Sequence, residues 1–217
     1  VRCHGSALTL HEFMGYVHRP ADSIFEKQFF KRFQKHVIAV SKYSAETTHK
    51  AFKLKETPKV IYNGVSIPNR NKRRNYLEFP TLRYSVFFFG SIRERKGIDI
   101  ACNTFNSILS VFPDATFHVL GNNNNDYWNT NAVKVLNKEA LGKTNYYGAI
   151  PNTEVYKYLE KAHVVLFPSF GENFSIALLE VMALGKLVVT SNIRAFKEII
   201  EPNINGFIAK DDLDYVK

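Results

Sequence analysis

The stretch Pro168–Val189, PSFGENFSIALLEVMALGKLVV, carries two carboxylates in a segment otherwise suited to a protein core. Glu172 stands near its start, and Glu180 lies eight positions later, inside an apolar run. A carboxylate removed from water without a partner costs on the order of several kcal/mol, so Glu180 requires a cation, a set of donors or solvent in a cleft. The alternative is that Glu180 simply points outward from an amphipathic helix.

The residues around the two glutamates predict a strand, loop, helix, strand unit. Val164–Phe167 and Leu187–Thr190 are short apolar runs typical of buried strands, and the spacing between them predicts a helix over about Phe174–Leu184. Asn173 or Ser175 can cap the start of that helix. Ligands of such units bind at the carboxyl ends of the strands, and free amides at a helix start attract phosphate. The two glutamates therefore flank a predicted phosphate site, with sugar hydroxyls as their candidate partners.

Composition limits the class of protein. The chain has 217 residues, 45% of them hydrophobic, which is enough for the cores of one or two domains. It has only two cysteines and no secretory signal, which favours a reducing compartment. No apolar run approaches the roughly 18 to 20 residues that cross a bilayer. Because the chain begins at Val1 and stops at Lys217 within an incomplete pattern, we expect it to be a fragment of a longer protein.

The positive charge is concentrated in the first part of the chain. Lys and Arg outnumber Asp and Glu by 15 to 6 in residues 1–80, and the two groups are equal, at 14 each, in residues 81–217. A basic surface attracts nucleic acid, anionic lipid or phosphorylated ligands, or is merely solvated. Phe25–Phe33 mixes aromatic and basic residues, which suits a helix on an anionic membrane surface. No nucleic-acid-binding motif is present, so we expect no nucleic-acid partner.

Strands and helices alternate along the rest of the chain, which predicts an α/β fold with parallel sheets covered on both faces. The predicted strands are Val1–Cys3, Val37–Val40, Lys59–Tyr62, Tyr84–Phe89, Thr116–Leu120 and Asn145–Gly148, besides the two named above. The further predicted helices are Ser23–Gln34, Ser44–Phe52, Ile98–Phe112, Asn131–Ala140 and Asn152–Lys161. Ser66–Pro80, with two prolines and three consecutive bases, is predicted to be a linker.

A second candidate phosphate loop is GSIRERKGIDI, Gly90–Ile100, between a predicted strand and a predicted helix. Gly90 allows a turn, Gly97 leaves room before the helix, and positive charge is supplied by Arg93, Arg95 and Lys96. The loop matches neither of the standard nucleotide fingerprints, Walker A and GxGxxG. A solvated basic loop is the alternative.

Two other features of the sequence are candidate sites. His4 directly follows a predicted strand, a position that faces a cleft in parallel-sheet proteins, although a lone histidine is more often structural. Asp212–Asp214 has the form DxD but lies among other charges near the chain end, so we interpret it as surface charge. The sequence has no His/Cys metal cluster and no GxSxG motif, and hydrolase and metalloenzyme functions have little support.

Taken together, five segments resemble the retaining glycosyltransferases of family 4, which have the two-domain GT-B fold. Glu172 and Glu180 match the E-x7-E motif of that family. The other matching segments are FFGSIRERKGID (88–99), VIAVSKYSAE (37–46), VIYNGVSI (60–67) and NGFI (205–208). The resemblance implies two Rossmann-like domains. Residues 1–66 would be the C-terminal part of the first, acceptor-side domain, 67–82 the linker, and 83–217 the nucleotide-sugar-binding domain without its last helices.

The resemblance also implies roles for particular residues. Glu180 would hold the ribose hydroxyls and Glu172 the hydroxyls of the donor sugar, while Lys96 would bind the diphosphate and His4 would lie near the transferred sugar. The backbone of Ile150 would contact the base. The implied donor-binding residues are Gly90, Ser91, Arg93, Lys96, Ile150, Glu172, Asn173, Phe174, Ser175 and Glu180. The implied catalytic residues are His4, Glu172 and Lys96.

The implied activity is transfer of a sugar from a nucleotide-diphosphate sugar to a glycan or lipid-linked acceptor during cell-surface polysaccharide synthesis. The expected location is cytoplasmic, peripheral on the inner face of the membrane, and no metal or other cofactor is expected. The chain departs from the family pattern at Ser91, where arginine is usual, and at Asn173 and Ser175, which replace glycines and are tolerated only where φ suits them. Ile193–Lys197 also lack the usual paired glycines. A non-catalytic sugar-nucleotide-binding protein and a sugar-nucleotide epimerase are the alternatives.

Overall fold

The computed structural model describes Arg2 and Cys3, residues 20–66, residues 84–123 and residues 125–210. The chain divides into two compact units. The first unit consists of Val1–Gly64, Gly171–Ser175 and Ile193–Ile199. The second consists of Val65–Phe170, Ile176–Asn192 and Ile200–Lys217. The predicted linker, residues 67–82, lies outside the described residues, and the domain boundaries stay a prediction.

The first unit contains a small parallel sheet with the strand order β1 (Arg2–Cys3), β2 (Ile38–Ala39), β3 (Lys59–Val60). Its helices are α1 (Pro20–Arg32) and α2 (Lys42–Phe52), and a 3-10 helix covers Gln34–His36. Buried side chains of Phe30, Val37, Phe52 and Leu54 form the core beside the sheet. The Phe30 and Phe52 rings stack with centroids 4.2 Å apart, a contact that holds α1 against α2.

The second unit is built on a parallel sheet of six strands, in the order β6-β5-β4-β7-β8-β9. The strands are β4 (Ser85–Phe89), β5 (Thr116–Leu120), β6 (Thr144–Gly148), β7 (Val164–Phe167), β8 (Leu187–Ser191) and β9 (Phe207–Ala209). The main helices are α3 (Ile98–Val111), α4 (Tyr127–Thr130), α5 (Lys138–Gly142), α6 (Asn152–Leu159), α7 (Ile176–Ala183) and α8 (Arg194–Lys197). Two 3-10 helices cover Glu94–Lys96 and Ala132–Val135. Unlike α3 to α7, helix α8 belongs to the first unit, together with α1 and α2.

Burial explains why the central strands are nearly uninterrupted apolar runs. Helices cover parallel sheets on both faces, so the side chains on either face of a central strand are shielded from solvent. Phe87 and Phe88 of β4 point to opposite faces and are both buried. On one face, Phe105 of α3 stacks on Phe117 of β5 with a centroid distance of 5.1 Å. The α/β class predicted from the sequence is confirmed.

The predicted helix Asn131–Ala140 is wrong. The segment forms the 3-10 helix Ala132–Val135 and the separate helix α5, preceded by α4. The Asn137 side chain accepts a hydrogen bond from the backbone N–H of Ala140 at 2.8 Å, so a new helix starts where the prediction continues the old one. The strand β9 and the one-turn helix α8 were not predicted.

The strand order fixes where a ligand can bind. From β4 the chain builds outward to β5 and β6 on one side, and it then crosses to β7, β8 and β9 on the other. The connections after β4 and β7 thus lead to opposite sides of the sheet order, and the carboxyl edge at this switch point is the usual ligand site of such sheets. In the described part of the chain, every helix is too short or too polar to cross a bilayer.

Candidate nucleotide-sugar site

The loop after β4 and the segment after β7 interlock at the switch point of the second sheet. The N–H of Phe170 donates to the carbonyl oxygen of Arg95 at 3.0 Å. Gly97 has a φ of +70°, and a Cβ there would lie 2.0 Å from the carbonyl oxygen of Pro168. Only glycine permits this approach, because any side chain would overlap the backbone that follows β7.

Backbone hydrogen bonds also tie the loop after β4 to its other neighbours. The N–H of Gly90 donates to the carbonyl of Leu120 at 3.0 Å, and the N–H of Ile92 donates to that of Asn122 at 2.8 Å. The N–H of Gly121 donates in turn to the carbonyl of Gly148 at 2.8 Å. The carboxyl ends of β6, β5, β4 and β7 are thus joined in a row. A rigid edge of this kind suits a binding site whose groups must be in place before the ligand arrives.

The structure places Gly90, Ser91, Arg93 and Lys96 in the loop after β4, at the switch point. Lys96 ends the 3-10 helix Glu94–Lys96 and is half-buried, whereas Arg93, which precedes that helix, is exposed. A half-buried ammonium group has fewer accessible positions than an exposed guanidinium group. Of the two cations predicted to bind phosphate, Arg93 and Lys96, Lys96 is therefore the more restricted; Arg95, between them, is half-buried as well.

Glu180 lies on α7 and is half-buried. Burial raises the pKa of its carboxyl group. The pKa of Tyr156, on α6, is raised by burial and further by the charge of Glu180, so the two groups are close. Burial is the cause of the shift at Glu180, and no hydrogen bond from a described residue contributes to it. Glu180 is therefore neither fully solvated nor paired, and its carboxylate is available to a ligand with hydroxyl donors.

The loop Gly171–Ser175, which carries Glu172, belongs to the first compact unit. Glu172, Asn173 and Phe174 are half-buried, and Ser175 is buried directly before the first residue of α7. Neither Asn173 nor Ser175 has a positive φ. Asn173 and Ser175 stand where the resembled family has glycines, and both adopt backbone angles that a non-glycine residue can take. Their presence therefore causes no backbone strain.

Ile150 and His4 are the remaining predicted site residues. Ile150 is half-buried and follows β6 by two positions, beyond Gly148, whose φ is +68°. The structure places it at the same carboxyl edge as the loop after β4, two strands away in the sheet order. His4 and the segment Asp212–Asp214 lie outside the described residues.

One residue with a clear electrostatic role was missed by sequence reasoning. The Glu198 carboxylate accepts hydrogen bonds from the backbone N–H groups of Lys42 and Tyr43, at 2.8 and 2.6 Å. It therefore satisfies free amides at the start of α2, where a negative charge is favoured. More than 150 residues separate the partners in sequence, so no local pattern could reveal the contact.

The unpaired state of Glu180 gives a stability prediction. Folding raises the pKa of this carboxyl group, so the charged form costs stability, and the cost appears as the pH rises through the raised pKa. We expect Glu180→Gln to raise the free energy of unfolding at pH 7 by up to about 1 kcal/mol, since partial exposure screens the effect. The gain should vanish below about pH 3, where the wild-type side chain is protonated in both states, since the ordinary pKa of glutamate is about 4.3. Urea unfolding at both pH values measures it.

Glu201→Gln, at an exposed position of the same unit, is the matched control and should change nothing. A lower stability of Glu180→Gln at pH 7 would contradict the assignment of Glu180 as an unpaired carboxylate.

Comparison with known proteins identifies the family. Residues 69–215 match the family model for glycosyl transferases group 1. An uncharacterized 41.2 kDa protein in the cps region of Klebsiella pneumoniae is 27% identical over 179 residues, which cover 79% of this chain and 47% of that protein. The phosphatidyl-myo-inositol mannosyltransferase of Mycobacterium leprae is 25% identical over 150 residues, covering 68% of this chain and 39% of the enzyme.

Among solved structures, Anabaena Alr3699/HepE in complex with UDP and glucose superposes with a TM-score of 0.78 at 21% identity. The match covers 99% of this chain and 59% of that protein, and it shows a shared fold of the GT-B type. The chain spans about half the length of the curated relatives it matches. Because residues 69–215 match the family model, the chain belongs to the family of glycosyl transferases group 1.

Proposed function

We propose that the whole protein is a retaining glycosyltransferase of family 4 and that the present chain is a fragment of it. It would move a sugar from a nucleotide-diphosphate sugar to an acceptor in cell-surface glycan synthesis. The observation that carries this proposal is the half-buried Glu180 carboxylate, whose pKa is raised by burial without a compensating donor among the described residues, in the unit whose switch point holds the half-buried Lys96. A fixed cation suits a diphosphate, and an unpaired carboxylate suits vicinal hydroxyls.

The nucleoside would be held by Glu180 and Ile150. The two ribose hydroxyls are donors, and Glu180 has the free acceptor oxygens to receive both. Ile150 follows β6 at the same edge of the sheet, where its backbone groups can face a base. The likeness to a protein that binds UDP and glucose supports a nucleotide-sugar donor.

The diphosphate would be bound by Lys96, with Gly90, Ser91 and Arg93 of the same loop beside it. The amides of Asn173, Phe174 and Ser175, which directly precede α7, would add donors aimed at the phosphate oxygens. Because serine stands at position 91 where the family has arginine, Lys96 supplies most of the positive charge.

The chemical step follows from these contacts. The bond between the sugar's anomeric carbon and the diphosphate oxygen breaks, and the electron pair leaves on the phosphate. The acceptor hydroxyl forms the new bond to carbon on the same face of the sugar, and its proton passes to the departing diphosphate oxygen. Glu172 would hold the donor-sugar hydroxyls and His4 would lie near the transferred sugar. Fixed donors that face the departing phosphate lower the barrier, and we propose that no metal ion is needed for this.

An anionic membrane surface is the proposed location of the acceptor, on the cytoplasmic side. Helix α1 has Phe30 packed inward against Phe52, while Phe25 and Phe29 are 73% and 43% exposed. The basic side chains of Lys27, Lys31, Arg32 and Lys35 are also exposed along this segment. Exposed rings flanked by cations match the interface of an anionic bilayer, where a lipid-linked or glycan acceptor would be presented.

One specific observation favours a second function, a non-catalytic sugar-nucleotide-binding protein. Ser91 removes a phosphate-binding arginine, which would weaken stabilisation of the leaving group more than binding of the nucleoside. Binding of a nucleotide sugar without turnover would support this alternative. Interconversion of free sugar nucleotides without an acceptor would instead support an epimerase.

Lys96→Ala tests the catalytic proposal most sharply. Loss of a donor aimed at the leaving group typically lowers turnover by about 10²-fold or more, so we expect a fall of that order in kcat with the fold intact. Donor hydrolysis and transfer assays measure it, and circular dichroism checks the fold. Lys134→Ala, at an exposed position of the same unit, should leave kcat unchanged. A Lys96→Ala protein with wild-type kcat would refute the phosphate role.

The double substitution Phe25→Ser and Phe29→Ser tests the membrane surface. Removing two exposed rings should weaken sedimentation with vesicles that contain anionic lipid by about tenfold or more. Val111→Ser, which alters an exposed apolar side chain in the second unit, is the control. Equal binding of wild type and double variant, or binding that is indifferent to anionic lipid, would contradict the proposal.

A further inference from the structure

Tyr62 joins three separated parts of the first unit. Its ring faces that of Phe174, with centroids 5.4 Å apart and an angle of 35° between the ring planes. Its hydroxyl lies 3.4 Å from a carboxylate oxygen of Glu198. The same carboxylate is bonded to the start of α2 through Lys42 and Tyr43. The protein segments that meet at Tyr62 are therefore the loop Gly171–Ser175, the residue after α8, and α2.

Glu198 is a fixed point in this cluster. Two backbone N–H groups at the start of a helix hold its carboxylate, at 2.8 and 2.6 Å. One turn earlier, Arg194 forms an ion pair with Glu46 of α2 at 2.6 Å, and its guanidinium group lies over the Tyr43 ring at 5.2 Å. Charge-assisted bonds to a helix start are stronger than neutral ones, so the Glu198 carboxylate is held in place by backbone rather than by flexible side chains.

The Tyr62 side chain is held from both ends. Burial, followed by the charge of Glu198, raises the pKa of the Tyr62 phenol, so at neutral pH the phenol is protonated and can donate to the carboxylate. At 3.4 Å this hydrogen bond is weak and serves mainly to orient the ring. The distance and tilt of the Tyr62 and Phe174 rings lie in the range of favourable aromatic pairs. The ring contact therefore contributes more than the hydroxyl.

We propose that Tyr62, oriented by Glu198, is a positioning residue that fixes the loop Gly171–Ser175 through its contact with Phe174. Phe174 is two positions after Glu172, so displacement of its ring moves the backbone that carries the Glu172 carboxylate. The proposal rests on the proposed role of Glu172 in holding the donor sugar. Displacement of such a group by about 1 Å can cost about 10²-fold in rate.

This arrangement predicts that loss of the Tyr62 ring affects recognition of the donor sugar but not recognition of the base and ribose. Contacts to the base and ribose come from Ile150 and Glu180 and do not depend on Tyr62. Contacts to the donor sugar come from Glu172, on the loop that Tyr62 fixes. Loss of the Tyr62 ring should therefore weaken use of the intact donor and leave the affinity for a nucleoside monophosphate unchanged.

The test compares Tyr62→Leu, which removes the ring, with Tyr62→Phe, which keeps it. UDP-glucose, GDP-mannose and ADP-glucose are first tried with the wild type, and the donor that is hydrolysed is used for every variant. Tyr62→Leu should lower kcat/KM for that donor by about 10- to 100-fold, with an unchanged Kd for the matching nucleoside monophosphate. Tyr62→Phe should restore kcat/KM to within about threefold of wild type. Glu46→Gln, which breaks only the neighbouring ion pair, should behave as wild type.

Hydrogen exchange of the backbone amides of residues 171–175 gives a readout that does not need activity. Tyr62→Leu should speed exchange there, and exchange in α3 should stay the same. If exchange at 171–175 is unchanged, or if Tyr62→Leu retains wild-type kcat/KM, the positioning role is wrong. An equal loss of monophosphate affinity would also overturn it, since that indicates general damage. If the wild type hydrolyses none of the donors but exchange responds as expected, the proposed function fails and the positioning contact stands.

Discussion

The contact of Gly97 with the carbonyl of Pro168 is the constraint on which the rest of the site depends. It exists because β4 and β7 are neighbours in the sheet, although more than 70 residues separate them in the chain. The loops that leave these two strands must pass each other within van der Waals distance, and a glycine with a left-handed backbone makes this possible. Lys96, the residue before that glycine, is consequently held at the switch point by backbone geometry.

The electrostatic surroundings of the titratable groups separate structural side chains from candidates for ligand binding. Both ring nitrogens of buried His118 are bonded, to Thr116 and Tyr147, and burial lowers the pKa of His118 to about 4. Glu198 is likewise satisfied by amides. Glu180 differs from both, because its carboxylate is half-buried and has no donor within the described residues. A half-buried carboxylate whose pKa is raised by folding is a candidate acceptor for the hydroxyl groups of a ligand.

The parts of the fold that the sequence predicts are those specified by local pattern. The strands β4, β5, β7 and β8 are mostly apolar, and the α/β class follows from their alternation with helices. The helix predicted at Asn131–Ala140 fails because one side-chain hydrogen bond at Asn137 restarts the helix, a choice that periodicity does not reveal. The three-residue strand β9 depends on pairing with β8, which no local pattern encodes.

The candidate site was predictable to a similar degree. The loop after β4 and the glutamates of Pro168–Val189 stand out by residue type and spacing. The pairing of Tyr62 with Phe174, and the capping of α2 by Glu198, arise only when distant segments meet. Sequence reasoning thus identifies groups that would touch a ligand more readily than the groups that hold them in place.

Calorimetric titration of the protein with UDP, GDP and ADP, repeated with Glu180→Ala, tests the central claim most directly. If Glu180 holds the ribose of a nucleotide donor, one of the three nucleotides binds the wild type, and the alanine variant loses that affinity while remaining folded. If no nucleotide binds, or if the variant binds as well as the wild type, Glu180 is only a tolerated carboxylate on α7 and the account of the site is wrong.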